Sequence, residues 1–190
     1  MKRSLGAQTL AYPTPVFIVG TYDSDGRPNV MTVAWGGICC SNPPALSISI
    51  RQNRHTYGAI KERGAFTVSI APEEYVREAD YIGIVSGKKS DKFQMTGLTP
   101  VRSEIVDAPY VGEFPMVLEC KVLQTLPLGA HDLIIGEIMD VKVEEKLLTP
   151  DGKPDIEKIK PLIFAPGSQA YYGVGPFIEN AFSIGKALKG

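Results

Sequence analysis

The residues best suited to bind an anion lie between Arg51 and Arg63, a segment that carries four basic side chains and one acid. Arg51 and Arg54 flank a predicted helix start, for which we expect Asn53 to be the N-cap. The first N–H groups of a helix have no internal acceptors, and the helix dipole adds positive charge there. With Asn53 as the cap, Thr56 is the third helical residue, so its hydroxyl and N–H could donate to a phosphate. The alternative is an ordinary capped helix with solvated arginines.

A second basic cluster spans residues 88–92 and contains Lys88, Lys89 and Lys92. Here Ser90–Phe93 is predicted to form one capped helical turn beside the positive charge. A solvated loop is the alternative. If the two clusters converge in the fold, both could serve a single phosphate.

Several aromatic side chains and one histidine could contact a flat ligand. Trp35, the only tryptophan, is either a core anchor or a ligand contact, and His131 is either a surface residue or part of a site. Tyr171 and Tyr172 fit a packing patch or an interface equally well. The sequence contains no P-loop, no Rossmann glycine fingerprint and no nucleophile elbow.

The three cysteines, Cys39, Cys40 and Cys120, favour a reducing cytoplasm over a disulfide scaffold. The adjacent pair lacks the spacing of a redox CxxC motif, and we expect two small half-buried residues there. The cysteines and the two histidines do not form a zinc pattern, so no metal site is predicted.

The elements that must position these residues are mostly strands. Turn residues Ser24–Gly26 separate the first two strands, Cys40–Pro44 is predicted to be a loop, and Gly64 is predicted to end a helix over residues 54–63. A second helix is predicted over residues 73–85, with Val76, Ala79 and Ile82 on one face. The predicted strands span residues 15–23, 29–34, 45–50, 65–71, 99–106, 115–126, 132–147 and 161–165.

Helices that are few and short disfavour a doubly wound parallel sheet. We expect one mainly β domain over residues 1–190, an antiparallel barrel with helices packed outside. The 19 glycines and 15 prolines agree with many turns. The net charge of −1 argues against a nucleic-acid binder. The sequence shows neither a signal peptide nor an apolar stretch of about 20 residues, so a cytoplasmic protein without a membrane span is predicted.

Several short segments are informative when they are taken in order. They are Asn29–Trp35, Cys40–Pro44, Ser49–Arg51 with Thr56–Tyr57, Ser90–Phe93, and Gly129–His131 with Gly136–Glu137. Phe164 follows them near the end of the chain. No single segment is specific, but the ordered set resembles the flavin reductase-like family of FMN-binding split barrels.

The resemblance implies a Greek-key split barrel that forms a homodimer, with FMN near the subunit interface. Thr56 and Lys92 would hold the FMN phosphate, with Arg51 and Ser90 nearby. Backbone N–H groups of residues 40–42 would bond the edge of the isoalloxazine ring, where donors stabilise negative charge on the reduced flavin. His131 and Phe164 would approach the flavin from the second half of the chain. The residues expected along the ribityl chain and ring are Asn29, Thr32, Ala34, Trp35, Cys40 and Ser41.

The members that this chain resembles most are electron-transfer flavoproteins, so the first expectation is an FMN electron carrier with redox protein partners in the cytoplasm of a sulfate-reducing bacterium. The second is an NAD(P)H-dependent flavin or ferric reductase, and the third a non-catalytic split-barrel module for another ligand. The reductases of two-component monooxygenases in this family usually show Gly-Asp-His where this chain has Gly129, Ala130 and His131. The missing aspartate puts efficient NAD(P)H oxidation in doubt, and His131 is the one catalytic candidate.

Overall fold

A computed structural model describes residues 1–188. The strands are β1 (Thr14–Pro15), β2 (Phe17–Tyr22), β3 (Pro28–Val33), β4 (Gly36–Ser41), β5 (Pro44–Ile50), β6 (Ala65–Ile70), β7 (Pro100–Arg102), β8 (Pro109–Val111), β9 (Met116–Pro127), β10 (Asp132–Val143), β11 (Ile163–Ala165) and β12 (Ala170–Tyr172). The helices are α1 (His55–Arg63), α2 (Val76–Ile84), α3 (Lys92–Thr96) and α4 (Ile156–Ile159), with 3-10 turns at Glu73–Tyr75, Glu145–Leu147 and Ile184–Leu188.

Seven strands form one antiparallel sheet in the order β3-β2-β6-β9-β10-β5-β4. The sheet curls, because Val33 near one edge and Leu46 and Ile48 near the other belong to the same buried cluster. Phe66 and Ile134 fill the centre of that cluster. Smaller sheets, β1-β11-β12 and β7-β8, flank the main one.

The helices lie outside the curled sheet. Ile18 on the outer face of β2 packs with Ala79 and Ile82 of α2 and with Phe93 of α3 in a second buried cluster. The central strand β6 is therefore buried on both faces, and its polar outward residue Thr67 donates its hydroxyl to the carbonyl of Pro109 on β8. The predicted mainly β split barrel with peripheral helices is confirmed.

The predicted loop over Cys40–Pro44 is wrong. Most of the segment is strand, since β4 runs to Ser41 and pairs with β5 from Pro44 onward, leaving only a tight turn at Asn42 and Pro43. β4 is an edge strand, so Cys39 and Cys40 are exposed rather than half-buried. Because β4 lies exposed at the edge of the sheet, its sequence lacks the alternation of apolar and polar residues that is typical of a half-buried strand.

Three other predicted elements differ in extent. The helix expected over residues 73–85 begins as a 3-10 turn and becomes α-helical at Val76, which is exposed while Ala79 and Ile82 are buried. The strand expected over residues 99–106 is limited to β7, and the one over 132–147 ends at Val143. After Arg102 the chain turns, with the Ser103 N–H donating to the Ala108 carbonyl, and after Val143 it enters the 3-10 turn at Glu145–Leu147. Within residues 1–188, no helix is long and apolar enough to cross a membrane.

Candidate functional site

A cavity of about 200 Å³ opens where β3, the start of α1 and the segment after α2 meet. Arg51, Arg54 and Lys92 bring three cationic side chains to it, and the start of α1 adds N–H groups. No carboxylate is present among the lining residues in the described part of the chain. The donor set therefore suits an anion such as a phosphate. The lining residues are Met31, Arg51, Asn53, Arg54, His55, Thr56, Gly83, Val85, Ser86, Gly87 and Lys92.

The helix start differs by one residue from the expectation. Arg54, not Asn53, is the N-cap of α1, and its side chain makes no capping hydrogen bond. Asn53 is instead part of a turn closed by the bond from the Arg54 N–H to the Arg51 carbonyl, 3.0 Å long. Thr56 is consequently the second helical residue, still within the first turn, where N–H groups are free for a ligand. Gly64 ends α1 in the left-handed conformation, as predicted.

Thr56 is oriented by a buried neighbour. Its side chain is almost fully buried, and the Asn29 amide donates to Thr56 Oγ1 at 2.9 Å. Because the hydroxyl oxygen accepts this bond, its own proton remains available to a ligand in the cavity. Gly87 leaves room for this arrangement, since a Cβ at that position would collide with the Asn29 side chain.

Lys92 reaches the same cavity from α3. Its ammonium is buried and donates to the carbonyls of Val30 and Ile82, each at 2.8 Å. An ammonium has three N–H donors, so one is left for an anion. Burial, with a smaller contribution from Arg54, lowers the pKa of Lys92 to about 8. The predicted capped turn is present as the start of α3, and its cap is Asp91, which accepts from the Gln94 N–H.

A second cavity, of about 480 Å³, continues the first, because both are lined by Met31, Arg51 and Arg54. We call the joined space the groove. Its far end is flat and aromatic. The lining residues of this end are Thr9, Met31, Thr32, Val33, Ala34, Trp35, Ser49, Arg51, Arg54, His131, Phe164, Pro166 and Gln169.

Trp35 and His131 form one wall of the aromatic end. Their ring centroids are 4.8 Å apart with planes inclined by 54°, and Trp35 is 38% exposed, so it is not a core residue. Arg51 Nε donates to His131 Nε2 at 3.4 Å. Burial first, then the charges of Arg51 and Arg54, lower the pKa of His131, so the imidazole is neutral at pH 7.

A buried carboxylate fixes the start of the strand that follows His131. Asp132, the first residue of β10, accepts from the Tyr57 hydroxyl at 2.6 Å and from the Gln52 amide at 2.8 Å. The Tyr57 bond, followed by the Gln52 bond, lowers the pKa of the Asp132 carboxyl. The network ties the start of β10 to α1, and hence the aromatic end of the groove to the cationic end.

The structure brings eight predicted site residues to the groove and a ninth, Asn29, directly behind Thr56. The eight are Thr32, Ala34, Trp35, Arg51, Thr56, Lys92, His131 and, from β11, Phe164. Three others lie elsewhere. Cys40 and Ser41 are exposed on β4, and the Ser90 hydroxyl lies 3.4 Å from that of Tyr81.

Sequence reasoning left several lining residues out of the site. Arg54 carried a signal, its charge beside a helix start, but was considered only as a flank of that helix. Gly83 and Gly87 come from α2 and the loop after it, and Gln169 from the turn between β11 and β12. These residues come close to β3 and the groove only in the folded protein, so no local sequence pattern could have assigned them to the site.

The groove fits a flavin mononucleotide in its chemistry. The cationic end supplies hydroxyl, ammonium and N–H donors without a competing carboxylate, as a phosphate requires. The opposite end supplies tryptophan, histidine and phenylalanine rings, as a flat heterocycle requires.

Comparison with known proteins gives the same family. Flavoredoxin of Desulfovibrio vulgaris (Miyazaki F) is 59% identical with a TM-score of 0.93, over 97% of this chain and all of that one. Flavoredoxin from Methanosarcina acetivorans is 32% identical with a TM-score of 0.90, over 99% of this chain and 98% of that one. The ferric-chelate reductase (NAD(P)H) of Archaeoglobus fulgidus is 30% identical over 104 residues, 54% of this chain and 60% of that protein. Residues 9–172 match the flavin reductase like domain, and the chain therefore belongs to that family.

Proposed function

We propose that the chain binds FMN in the groove and carries electrons between protein partners. One observation supports the first half of this proposal. The cationic cavity, which is lined by no carboxylate of the described residues, opens directly into the aromatic end of the groove. The high identity to a flavoredoxin over nearly the whole chain supports the second half.

The chemistry would come from the flavin, which when bound accepts and donates electrons. The chain's own residues would bind and position it. Thr56, Lys92 and the start of α1 would hold the phosphate, and Arg51 and Arg54 would neutralise its charge at the joint between the two cavities. Trp35 and Phe164 would pack against the ring system and exclude water from it, while neutral His131 would face it from the turn before β10.

Binding is tested by titrating flavin-free protein with FMN and, as a matched control, with riboflavin, which lacks the phosphate. We expect tight binding of FMN, much weaker binding of riboflavin, and strong quenching of Trp35 emission by both. Equal affinities would contradict the phosphate placement, and constant emission would contradict the position of Trp35. A protein that takes up neither flavin would instead be a split-barrel module for another ligand.

A second candidate is an NAD(P)H-dependent flavin or ferric reductase. It is favoured by the similarity to a ferric-chelate reductase and by the position of His131 in the groove. Anaerobic mixing of FMN-loaded protein with NADH or NADPH separates the two functions through the visible absorbance of the flavin. Slow or absent bleaching agrees with a carrier that receives electrons from a protein, whereas bleaching at many turnovers per second agrees with a reductase.

We further propose that the protein is a homodimer that works in the cytoplasm of a sulfate-reducing bacterium. The support for the host is the identity to the Desulfovibrio vulgaris protein. The support for the dimer is a C-terminal segment with large apolar side chains in solvent, including Ile178 at 92% and Phe182 at 96% exposure. Exposed apolar surface of this kind marks a protein interface.

A further inference from the structure

Three hydrogen-bonded side chains lie behind the groove. Asp132 is only 4% exposed, and its carboxylate accepts from the Tyr57 hydroxyl on Oδ2 and from the Gln52 amide on Oδ1. We call Gln52, Tyr57 and Asp132 the anchor cluster. Its three members, all within the described residues 1–188, are absent from the lining of both cavities of the groove. The anchor cluster can therefore act on a ligand only through other residues.

Every member of the anchor cluster directly follows, in the chain, a residue that lines the groove. Arg51 and Thr56 line the cationic end, whereas His131 lines the aromatic end. Consecutive Cα atoms are about 3.8 Å apart, so a displaced member of the anchor cluster moves its groove neighbour with it. The three pairs, with the groove residue first, are Arg51 and Gln52, Thr56 and Tyr57, and His131 and Asp132.

The surrounding barrel holds Tyr57 and Asp132 in place. The Tyr57 ring packs against the buried cluster inside the barrel, and the Lys61 ammonium lies 5.6 Å from its centroid. Asp132 is fixed through its backbone, because it pairs with Ile50 at the end of β5. The bond from the Tyr57 hydroxyl to the carboxylate is 2.6 Å long and charge-assisted, a class about twice as strong as neutral hydrogen bonds. The same bond raises the pKa of Tyr57, so the proton stays on the phenol.

The buried charge of Asp132 depends on this one arrangement of donors. Its carboxylate forms no salt bridge within residues 1–188, and the two neutral donors, Tyr57 first and then Gln52, are the main groups that stabilise the charged form. Loss of either donor would leave a buried charge without its full set of hydrogen bonds, which is costly. Residues 51–57 and 131–132 are therefore expected to move together rather than independently.

We propose that Asp132 is a positioning residue that couples the two ends of the groove, so that an anion at the cationic end strengthens the binding of a planar ring at the aromatic end. An anion held by Arg51 and Thr56 would order their neighbours in the anchor cluster. Through Asp132 the same order would reach His131 before the ring arrives, so the ring would bind with a smaller loss of conformational entropy. By linkage, the ring must strengthen anion binding by the same factor. That the ring and the anion are parts of one flavin mononucleotide rests on the proposed function.

The two halves of the flavin can be offered separately. Lumiflavin has the isoalloxazine ring without the ribityl phosphate, and inorganic phosphate supplies the anion. Lumiflavin is titrated with flavin-free protein and followed by its fluorescence, with and without saturating phosphate at constant ionic strength. Because lumiflavin is uncharged, phosphate does not attract it directly. We expect phosphate to lower the dissociation constant of lumiflavin about fivefold or more, which is a typical allosteric coupling.

Three variants alter the anchor cluster. Tyr57→Phe keeps the packed ring and removes one donor, Gln52→Met removes the other donor at an exposed position, and Asp132→Asn removes the charge. In each variant the effect of phosphate on lumiflavin binding should largely disappear. A merely structural role would lower thermal stability and both affinities but would leave this ratio intact. Tyr110→Phe is the matched control and should keep the wild-type ratio, since Tyr110 is also half-buried but lies on β8 and lines neither cavity.

The possible outcomes separate this coupling from the proposed function. A phosphate effect of wild-type size in all three variants would overturn the coupling. So would a wild-type protein in which phosphate leaves lumiflavin binding unchanged, or one that takes up FMN but no lumiflavin. In those cases a preference for FMN over riboflavin would leave the proposed function intact. Uptake of neither FMN nor lumiflavin would contradict the proposed function itself and, with it, the coupling.

Discussion

At the cationic end of the groove, hydrogen bonds hold Thr56 and Lys92 in place and leave each side chain with one donor free for a ligand. Thr56 accepts from Asn29 and keeps its proton, and Lys92 donates to two carbonyls and keeps one N–H. The orientation of both donors is thus fixed before a ligand arrives, which lowers the entropy lost on binding.

Thr56→Ala removes one of these donors. A hydrogen bond to a charged acceptor contributes about 1.5–3 kcal/mol, so the dissociation constant for FMN should rise by about tenfold to a hundredfold. The matched control is Thr56→Ser, which keeps the hydroxyl and should bind FMN nearly as well as the wild type. Alanine also removes the acceptor of the Asn29 amide. Thermal unfolding of both variants shows how much of the loss in affinity comes from a less stable fold. An unchanged FMN affinity in the alanine variant would remove Thr56 from the phosphate site.

Lys92 should make FMN binding depend on pH. Because its pKa is about 8 rather than 10.5, the flavin-free protein loses this charge as the pH rises through about 8, and a bound phosphate favours the charged form. The dissociation constant for FMN should therefore be nearly constant below pH 7. Above pH 8 it should increase, by up to about tenfold per pH unit. A separate, smaller increase is expected near pH 6, where the phosphate itself takes up a proton, and this increase should be the same in a variant without Lys92.

Fluorescence titrations of the wild type and Lys92→Met between pH 6 and pH 9.5 check this expectation. The variant should bind FMN more weakly at pH 7 and should lose the dependence around pH 8. A variant with the same pH profile as the wild type would show that another group titrates. Riboflavin serves as the internal control, since it carries no phosphate and should show little of the dependence in either protein.

The cationic half of the site could be predicted from residue types because helix starts and basic clusters are local features. The position of the cap could not, since it depends on a turn bond between Arg51 and Arg54 that competes with Asn53. Gln169 gave no signal at all, because its left-handed conformation is one for which glycine and asparagine are the usual markers.

Among the elements, the β9–β10 hairpin connects the core to the groove. β10 begins at Asp132, beside His131, and pairs with β9 along its length and with β5 over residues 132–137. The pairing with β9 shifts at Ile135 and Gly136, and a Cβ at Gly136 would lie 2.6 Å from the Phe66 ring in the centre of the barrel. A glycine is needed at this shift because a larger residue would displace the central aromatic side chain.

Gly136→Ala should destabilise the protein by about 1–3 kcal/mol, the usual cost of overpacking a dense core. The matched control is Gly37→Ala on β4, where a Cβ would meet no atom within 4 Å. Chemical denaturation of both variants is the measurement, and the control should change the unfolding free energy by less than about 0.5 kcal/mol. Equal effects of the two substitutions would mean that the Phe66 ring moves away from the added methyl group without lowering the unfolding free energy.

Strands with buried apolar or alternating sequences were predicted well, as β2, β5 and β6 show. β4 was not, because an exposed edge strand needs no apolar alternation. The short extent of β7 depends on how far its only partner, β8, runs beside it. The family resemblance therefore added the split-barrel architecture, which local patterns do not contain.

Over the whole molecule, the residues up to Gly175, here called the body, and the C-terminal segment after Gly175 differ in whether they bury their apolar side chains. The body encloses two apolar clusters, whereas the segment exposes Phe177, Ile178 and Phe182 to solvent. The two aromatic rings would each bury about 150–250 Å² in a contact, a substantial part of the roughly 800 Å² that one partner contributes to a standard interface.

Removal of residues 177–190 should therefore weaken the proposed homodimer. We expect light scattering after gel filtration to show a shift from dimer toward monomer at low micromolar concentration. Phe177→Ser combined with Phe182→Ser in the full chain should act in the same direction, while deletion of the exposed residues 1–6 is the control. A truncated protein with an unchanged dimer dissociation constant would exclude the segment from the interface.

The exposed edge strand β4 gives the molecule a ready point of covalent attachment. Cys39 and Cys40 lie in solvent there, whereas Cys120 is buried in the barrel and its thiol pKa is raised to about 12, chiefly by burial. Since the thiolate is the reactive form, an electrophilic dye should modify β4 and spare the core. The unaltered chain can thus be labelled or tethered to an electrode through one edge of its sheet, without engineered cysteines.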